Sequence, residues 1–172
     1  MIEISKFLES DAEFTPAVVG FLVKDNQVCL GLRKKVSFGL GENLISGIGG
    51  KIGDSPEIKD ETPPQALVRE FLEEVEVTPE SFEDLGQVQF IFPHKPKWNQ
   101  IVRVYRISSW LGELKETEVI KPMWFEENQL PKDRMWDDNS YWLPRILKGE
   151  RVNMIFLFNK NNKVKEYQNV EN

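Results

Sequence analysis

Three carboxylates set the chemical possibilities of this chain. Within PQALVREFLEEV, residues 64–75, Glu70, Glu73 and Glu74 stand at positions i, i+3 and i+4. On a helix turning about 100° per residue they share an arc of about 100°, with the apolar positions 67, 68, 71, 72 and 75 centred on the other side. Like charges at this spacing repel and cost a helix roughly a few tenths of a kcal/mol per pair. A hard divalent cation with oxygen ligands would offset that cost and brings metal-assisted hydrolysis into view. Arg69, one residue before Glu70 and four before Glu73, is placed to orient a carboxylate or offset local negative charge, and reads as an orienting partner, not a ligand. Taken alone, the same residues also describe the solvated acidic face of an ordinary surface helix.

The elements that must position this helix follow from pattern. PAVVGFLVK (16–24) and VCLGL (28–32) are apolar, β-branched runs separated by Asp25-Asn26, and read as a hairpin. From Val36 to Lys51 the chain is rich in glycine and poor in periodic apolar residues, which predicts irregular backbone or close approach to a ligand. The carboxylate helix itself spans 64–75, with Pro at its start, where it is tolerated. After it, VQFIF, QIVRVYRI and MWF read as strands, and NSYWLPRILKG as a short helix entered or interrupted at Pro144. VNMIFLFN and KVKEYQNV, around Asn161-Asn162, read as a closing hairpin. A mixed α/β domain is expected.

Composition narrows the partners. With 172 residues, 40% of them hydrophobic, the chain is long enough for one substantial core and short for two domains. A net charge of -6 and a pI near 5.0 disfavour polymeric nucleic acid as a ligand, since phosphate backbones call for clustered Lys and Arg. A small polyanion stays possible, because a divalent metal inverts the local field. The single Cys29, within an apolar run, supplies no disulfide framework or cysteine metal site and fits a reducing compartment. The charged N-terminus and the absence of about 18 consecutive apolar residues predict a soluble, cytoplasmic protein without membrane association. His94, the only histidine, lies in the Pro-rich PHKPK and is expected to be exposed and catalytically idle.

The string around the helix adds the decisive signal. Gly49-Gly50-Lys51 precedes it, and Glu61, seven intervening residues, Arg69-Glu70-Phe71, Glu73-Glu74 and Val77 follow. This resembles the Nudix box, G-x5-E-x7-R-E-U-x-E-E-x-G-U, where U is aliphatic. Two departures stand out. Ten residues separate Gly50 from Glu61 where the box has five, an insertion within GDSPEIKD, and Glu76 replaces the second glycine of the box. Because glycine best tolerates a left-handed helix end, a strained Glu76 or a rerouted turn is expected. The resemblance implies a Nudix fold, a mixed β-sheet sandwiched between α-helices, filling residues 1–172 as one domain. It also implies that the carbonyl of Gly49 and the carboxylates of Glu70, Glu73 and Glu74 hold one to three Mg2+ ions, with Mn2+ as a substitute. Glu70 is the first candidate for general base, Lys51 is placed to contact phosphate or a box carboxylate, and Glu116 or Glu118 is a candidate for a further acidic ligand.

The remaining segments, GQVQFIF, KPMWF and MWDDNSYWLP, resemble the eukaryotic-type branch of MutT-like Nudix enzymes that hydrolyse oxidised purine nucleoside triphosphates. That implies a purine pocket in which Trp136 stacks on the base, Phe38, Phe90 and Phe92 line the walls and Trp142 closes it. Asp138 would accept from N1–H and the exocyclic amine of a guanine-like base, while Asn139, where this branch has a second acid, donates or accepts. Ser46 stands where the branch has a base-contacting asparagine, and Arg33 near a lysine position. Each has an ordinary reading as well. Phe90, Phe92, Tyr141 and Trp142 could be core, Asp137-Asp138 could cap the following helix, and Lys51 could be a surface lysine. The expected enzyme is a monomer acting on 8-oxo-dGTP or 2-hydroxy-dATP. Its rivals are a Nudix hydrolase of another diphosphate-linked substrate, such as dihydroneopterin triphosphate or a dinucleoside polyphosphate, and a non-catalytic nucleotide-binding domain.

Overall fold

The computed structural model describes residues 3–34 and 43–171. Its chain order is α1 (Glu3–Leu8), β1 (Thr15–Lys24), β2 (Gln27–Arg33), β3 (Ile45–Ser46), β4 (Ile48–Lys51), α2 (Pro63–Val75), β5 (Thr78–Ile91), β6 (Gln100–Leu111), β7 (Ile120–Glu126), α3 (Asn139–Leu147), β8 (Val152–Phe158) and β9 (Val164–Asn169). The first hairpin turns through Asp25 and Asn26, both at positive φ (52° and 60°), the combination a two-residue turn needs to match strand twist. The last hairpin turns near Asn162, also at φ 60°.

Among the described residues these strands form one sheet in the order β3-β2-β1-β6-β5-β8-β9, with β4 added to β1 and β7 to β2. β1 runs parallel to β6 and β5 parallel to β8; the other pairs are antiparallel. Alternation along the strands makes two apolar layers. Ala17, Phe21 and Val23 of β1 face a core shared with Trp142, Leu143 and Ile146 of α3, whereas Val18 and Leu22 face one shared with Leu67, Phe71 and Val75 of α2. β8 repeats the pattern: Met154, Phe156 and Phe158 point to the α3 side, and Ile155 and Leu157 to a small core with Ile4 of α1. The result is the expected mixed sheet between helices. Gly20 lets α2 sit close, since a Cβ there would stand 2.8 Å from both Leu67 Cδ1 and Phe71 Cε2.

Three expectations need correction. α1, a polar six-residue helix, was not foreseen, because only Ile4 is buried. The strand expected at 88–92 is the end of β5, which begins ten residues earlier and shifts register at Asp84/Gln87. The buried face of α2 is also rotated: Ala66 is buried, whereas Leu72 is 53% exposed. Pro144 lies inside α3 without ending it. No helix among the described residues is long and apolar enough to cross a membrane.

Candidate active site

Local sequence fixes where α2 begins and ends. Thr62 Oγ1 accepts from the Gln65 N–H (3.4 Å) and Gln65 Oε1 accepts from the Thr62 N–H (2.9 Å), a capping box reinforced by proline in the first turn. At the other end Glu76 adopts the left-handed conformation (φ 60°, ψ 30°), the strain anticipated from its replacing a glycine. Glu70 and Glu74 point inward, whereas Glu73 is turned outward with 59% of its side chain exposed.

Arg69 organises this helix against the loop before it. Its Nε and one terminal nitrogen grip Glu61 (2.6 and 3.0 Å), the other terminal nitrogen reaches Glu70 (3.0 Å) and Glu73 (3.2 Å), and the Lys51 carbonyl accepts a further bond (3.0 Å). The Gly53 N–H donates to the same Glu61 carboxylate at 3.0 Å, so the insertion is tied to the helix through the acid that precedes it. Bonding to Arg69 holds the Glu61 carboxyl below the usual range. Arg69 thus behaves as the orienting cation its spacing suggested.

Burial raises the carboxyls of the inward pair. It pushes Glu70 up against the pull of Arg69, and Glu74 up to about 7 against the pull of Arg33. Glu74 Oε2 is buried with no hydrogen-bond partner, a state that costs about 1–3 kcal/mol if nothing else satisfies it. Gly50 is required beside Glu70, because a Cβ at that position would overlap the Glu70 carboxylate. An all-oxygen donor set, an orphaned carboxylate oxygen and a glycine that makes room fit a hard divalent cation. The set is not preassembled: among the described residues no three Asp, Glu, His or Cys groups stand together as ready ligands. Glu73 is held by Arg69, outside the cavity lining.

Glu70 and Glu74 open into a cavity of about 590 Å³ that also collects Gly49, Gly50, Lys51, Arg33 and Ser46. Its other end is aromatic. Phe92 and Phe158 stack at 4.5 Å with rings 5° from parallel, and Trp136 stands edge-on to both at 5.6 and 5.3 Å. Phe90 is half-buried and contacts Phe156 and Phe158, so it belongs to wall and core alike. Trp142 is at the cavity wall but 3% exposed and packed on Phe21 at 5.8 Å, a floor residue and not a lid.

Asp138 lies among these aromatics, 2% exposed. Its Oδ2 accepts from Trp142 Nε1 at 2.8 Å, and burial pushes its carboxyl up to about 7 despite that bond. The capping alternative for the two aspartates is not realised. Asp138 occupies the N-cap position just before α3 without a side-chain cap bond, and Asp137 instead accepts from the Val164 N–H at 3.1 Å. Asn139 Nδ2 donates to the Trp136 carbonyl (3.0 Å), bracing the turn that carries the indole.

Other expectations meet the structure less directly. Glu116 pairs with Lys34 at 2.7 Å, and neither it nor Glu118 lines the cavity, so the structure does not place the sought additional acid there. Phe38 lies outside the described residues. His94 is exposed on a turn, as expected. Sequence reasoning missed Phe158, Trp98 and Asp54, all at the cavity. Phe158 could have been found from the alternation of VNMIFLF, but Asp54 enters from the insertion, for which no pattern predicted a direction.

Comparison with known proteins identifies the family and the fold. The NUDIX domain model matches residues 13–146. A zebrafish protein named "Oxidized purine nucleoside triphosphate hydrolase" is 29% identical over 147 residues, covering 86% of this chain and 88% of its own. Its mouse counterpart of the same name is 27% identical, covering 85% and 88%. The fold is similar to the MutT protein of Bacillus halodurans (TM-score 0.70, 16% identity, 90% of this chain and 97% of that one). It is also similar to a MutT NUDIX hydrolase of Burkholderia pseudomallei (TM-score 0.59, 23% identity, 69% and 88%). The match over residues 13–146, most of the chain, means that this chain belongs to the NUDIX domain family of hydrolases.

Proposed function

We propose that this protein hydrolyses oxidised purine nucleoside triphosphates, with 8-oxo-dGTP and 2-hydroxy-dATP as the candidate substrates, to the monophosphate and pyrophosphate. Water adds at phosphorus, the phosphoanhydride bond breaks, and the damaged nucleotide leaves the triphosphate pool. One observation carries the reading: a single cavity joins inward glutamates at one end to a buried acid among aromatic rings at the other. A nucleoside triphosphate has the same polarity, a polyanionic chain at one end and a flat heteroaromatic base at the other. The names of the zebrafish and mouse relatives support the choice of oxidised purines.

Nudix hydrolases generally use divalent metal ions, and here Glu70, Glu73, Glu74 and the Gly49 carbonyl would hold Mg2+, with Mn2+ as a substitute. The ion supplies neutralisation of phosphate charge and Lewis-acid activation for hydrolysis. Arg69 keeps Glu70 and Glu73 oriented, and Glu70, buried and with its carboxyl raised by that burial, is the first candidate to take the proton from water. Lys51, which lines the cavity next to Gly50 in the chain, would contact the phosphate chain.

At the far end Trp136, Phe90 and Phe92 supply flat apolar contact for the base. Asp138 and Asn139 read its polar edge, and Arg33 and Ser46 form the wall between base and phosphates. Residues 1–172 act as one Nudix domain, a monomer working in the cytoplasm on small nucleotides and not on nucleic-acid polymers or membranes.

The test is pyrophosphate release from 8-oxo-dGTP with and without Mg2+. Turnover that needs the metal and is lost in Glu74→Gln supports the enzyme reading. Nucleotide binding without turnover in the wild-type protein would replace it with a sensor or scaffold role.

A further inference from the structure

The cavity carries its own cation beside the carboxylate that a metal would need. Arg33, the last residue of β2, has only 19% of its side chain exposed. Its Nε donates to Ser46 Oγ at 3.1 Å, and Ser46 Oγ donates onward to the Gly47 carbonyl at 3.0 Å. A bond to a neutral hydroxyl therefore anchors one edge of the guanidinium. The other edge puts a terminal nitrogen 3.7 Å from Glu74 Oε1, and the charge is felt at Glu70 as well.

Glu74 has supports besides Arg33. The Gly49 backbone N–H pulls its carboxyl down, its main-chain carbonyl accepts from Thr117 Oγ1 at 2.9 Å, and only 12% of its side chain is exposed. What Arg33 adds is mainly positive charge on Oε1, while Oε2 has no hydrogen-bond partner. Arg69 differs, because its charge is matched bidentately by Glu61 outside the inward pair. Among the described residues, Arg33 has its ion pair with Glu74 itself.

We propose that Arg33 is a placeholder cation: anchored by Ser46, it neutralises Glu74 in the metal-free site, and a divalent ion binds Glu74 in competition with it. This rests on the reading of Glu70 and Glu74 as metal ligands. Arg33 is then a positioning residue that sets how readily the site loads. Two cations sharing one carboxylate repel, and because both side chains are largely buried that repulsion is weakly screened.

Mn2+ binding without nucleotide, followed by electron paramagnetic resonance, tests the proposal on the wild type, Arg33→Met and Arg33→Lys. Arg33→Met keeps the aliphatic bulk and removes the charge, and Arg33→Gln replaces it if the methionine variant does not fold. The neutral variant should bind Mn2+ about fivefold or more tightly, the lower end of typical coupling between two ligands. Arg33→Lys, which restores the charge, should stay within about twofold of wild type on the same reasoning.

A purely structural role for Arg33 predicts unchanged or weaker Mn2+ binding in the neutral variant, and that result overturns the proposal while leaving the metal reading intact. A lysine variant that behaves like the neutral one also overturns it, since charge would not be the agent. No Mn2+ binding by any of the folded proteins at millimolar concentration removes the metal reading itself, and the proposal with it.

Discussion

Each of the two helices that border the cavity brings an acid that burial pushes up to about 7, Glu74 from α2 and Asp138 from the start of α3. Their surroundings differ. Glu74, on α2, has a guanidinium at 3.7 Å, a second glutamate nearby and an unpartnered oxygen. Asp138, at the start of α3, has a neutral indole N–H at 2.8 Å and rings around it. The first is an environment for exchanging cations, where a carboxylate is useful ionised. The second is one in which hydrogen bonding to a neutral base is favoured and free charge is costly. The same pKa direction therefore arises in two different settings, and the partners distinguish them.

The comparison is most exposed to failure at Glu74. Glu74→Gln should lower Mg2+-dependent kcat for pyrophosphate release by about a thousandfold, roughly 4 kcal/mol of barrier, while nucleotide-induced quenching of tryptophan fluorescence survives. A variant that lost base binding instead would merge the two ends into one.

At Asp138 the sign of the pH effect is fixed by the direction of its shift. The folded carboxyl holds its proton up to about pH 7, and the unfolded one loses it near 3.8. The unfolded state therefore sheds the proton first, and stability falls as pH rises between those values, then levels above the folded pKa. Denaturant melts from pH 4 to 8 should show Asp138→Asn gaining on wild type across that window, by up to about 4 kcal/mol for the full shift. A pH-independent gap would mean that Asp138 titrates normally and that its buried setting is misread.

Gly50→Ala sharpens the contrast by striking one end only. The added methyl overlaps the Glu70 carboxylate, and a displacement of about an ångström at a catalytic group costs on the order of a hundredfold in rate. Steady-state kinetics should show that loss with the preference among bases unchanged.

Much of the charged end was legible in sequence because its residues are close in the chain. A helical period, a proline at the helix start and the spacing of Arg69, Glu70, Glu73 and Glu74 are local facts, whereas the capping box of Thr62 and Gln65 went unread. The outward turn of Glu73 and the exposure of Leu72 were not, since they depend on how α2 rotates onto β1 and β4. The aromatic end was legible by resemblance for Trp136, Phe90 and Phe92. What stayed hidden there is long-range: the stacking of Phe92 on Phe158, and the division of labour between Asp137, which binds β9, and Asp138, which faces the cavity. The Ser46–Arg33–Glu74 chain joins three elements and could not be read from any one of them.

The smallest effect lies outside both ends. Glu76→Gly relieves a left-handed residue at the end of α2, and should stabilise the protein by about 1 kcal/mol, or roughly 2–4 °C in Tm, with kcat/KM unchanged. Its exposed pairing with Lys115 at 3.8 Å contributes little against that.

In the proposed function one cavity combines triphosphate hydrolysis with recognition of a damaged purine. Its most direct test compares kcat/KM for 8-oxo-dGTP, 2-hydroxy-dATP, dGTP and dATP in the wild type and in Asp138→Ala. The account predicts that oxidised substrates win by about a hundredfold, roughly 2.7 kcal/mol of transition-state discrimination, and that Asp138→Ala erases the difference. Equal, slow turnover of all four would contradict it, leaving a Nudix hydrolase whose aromatic end serves some other diphosphate-linked substrate.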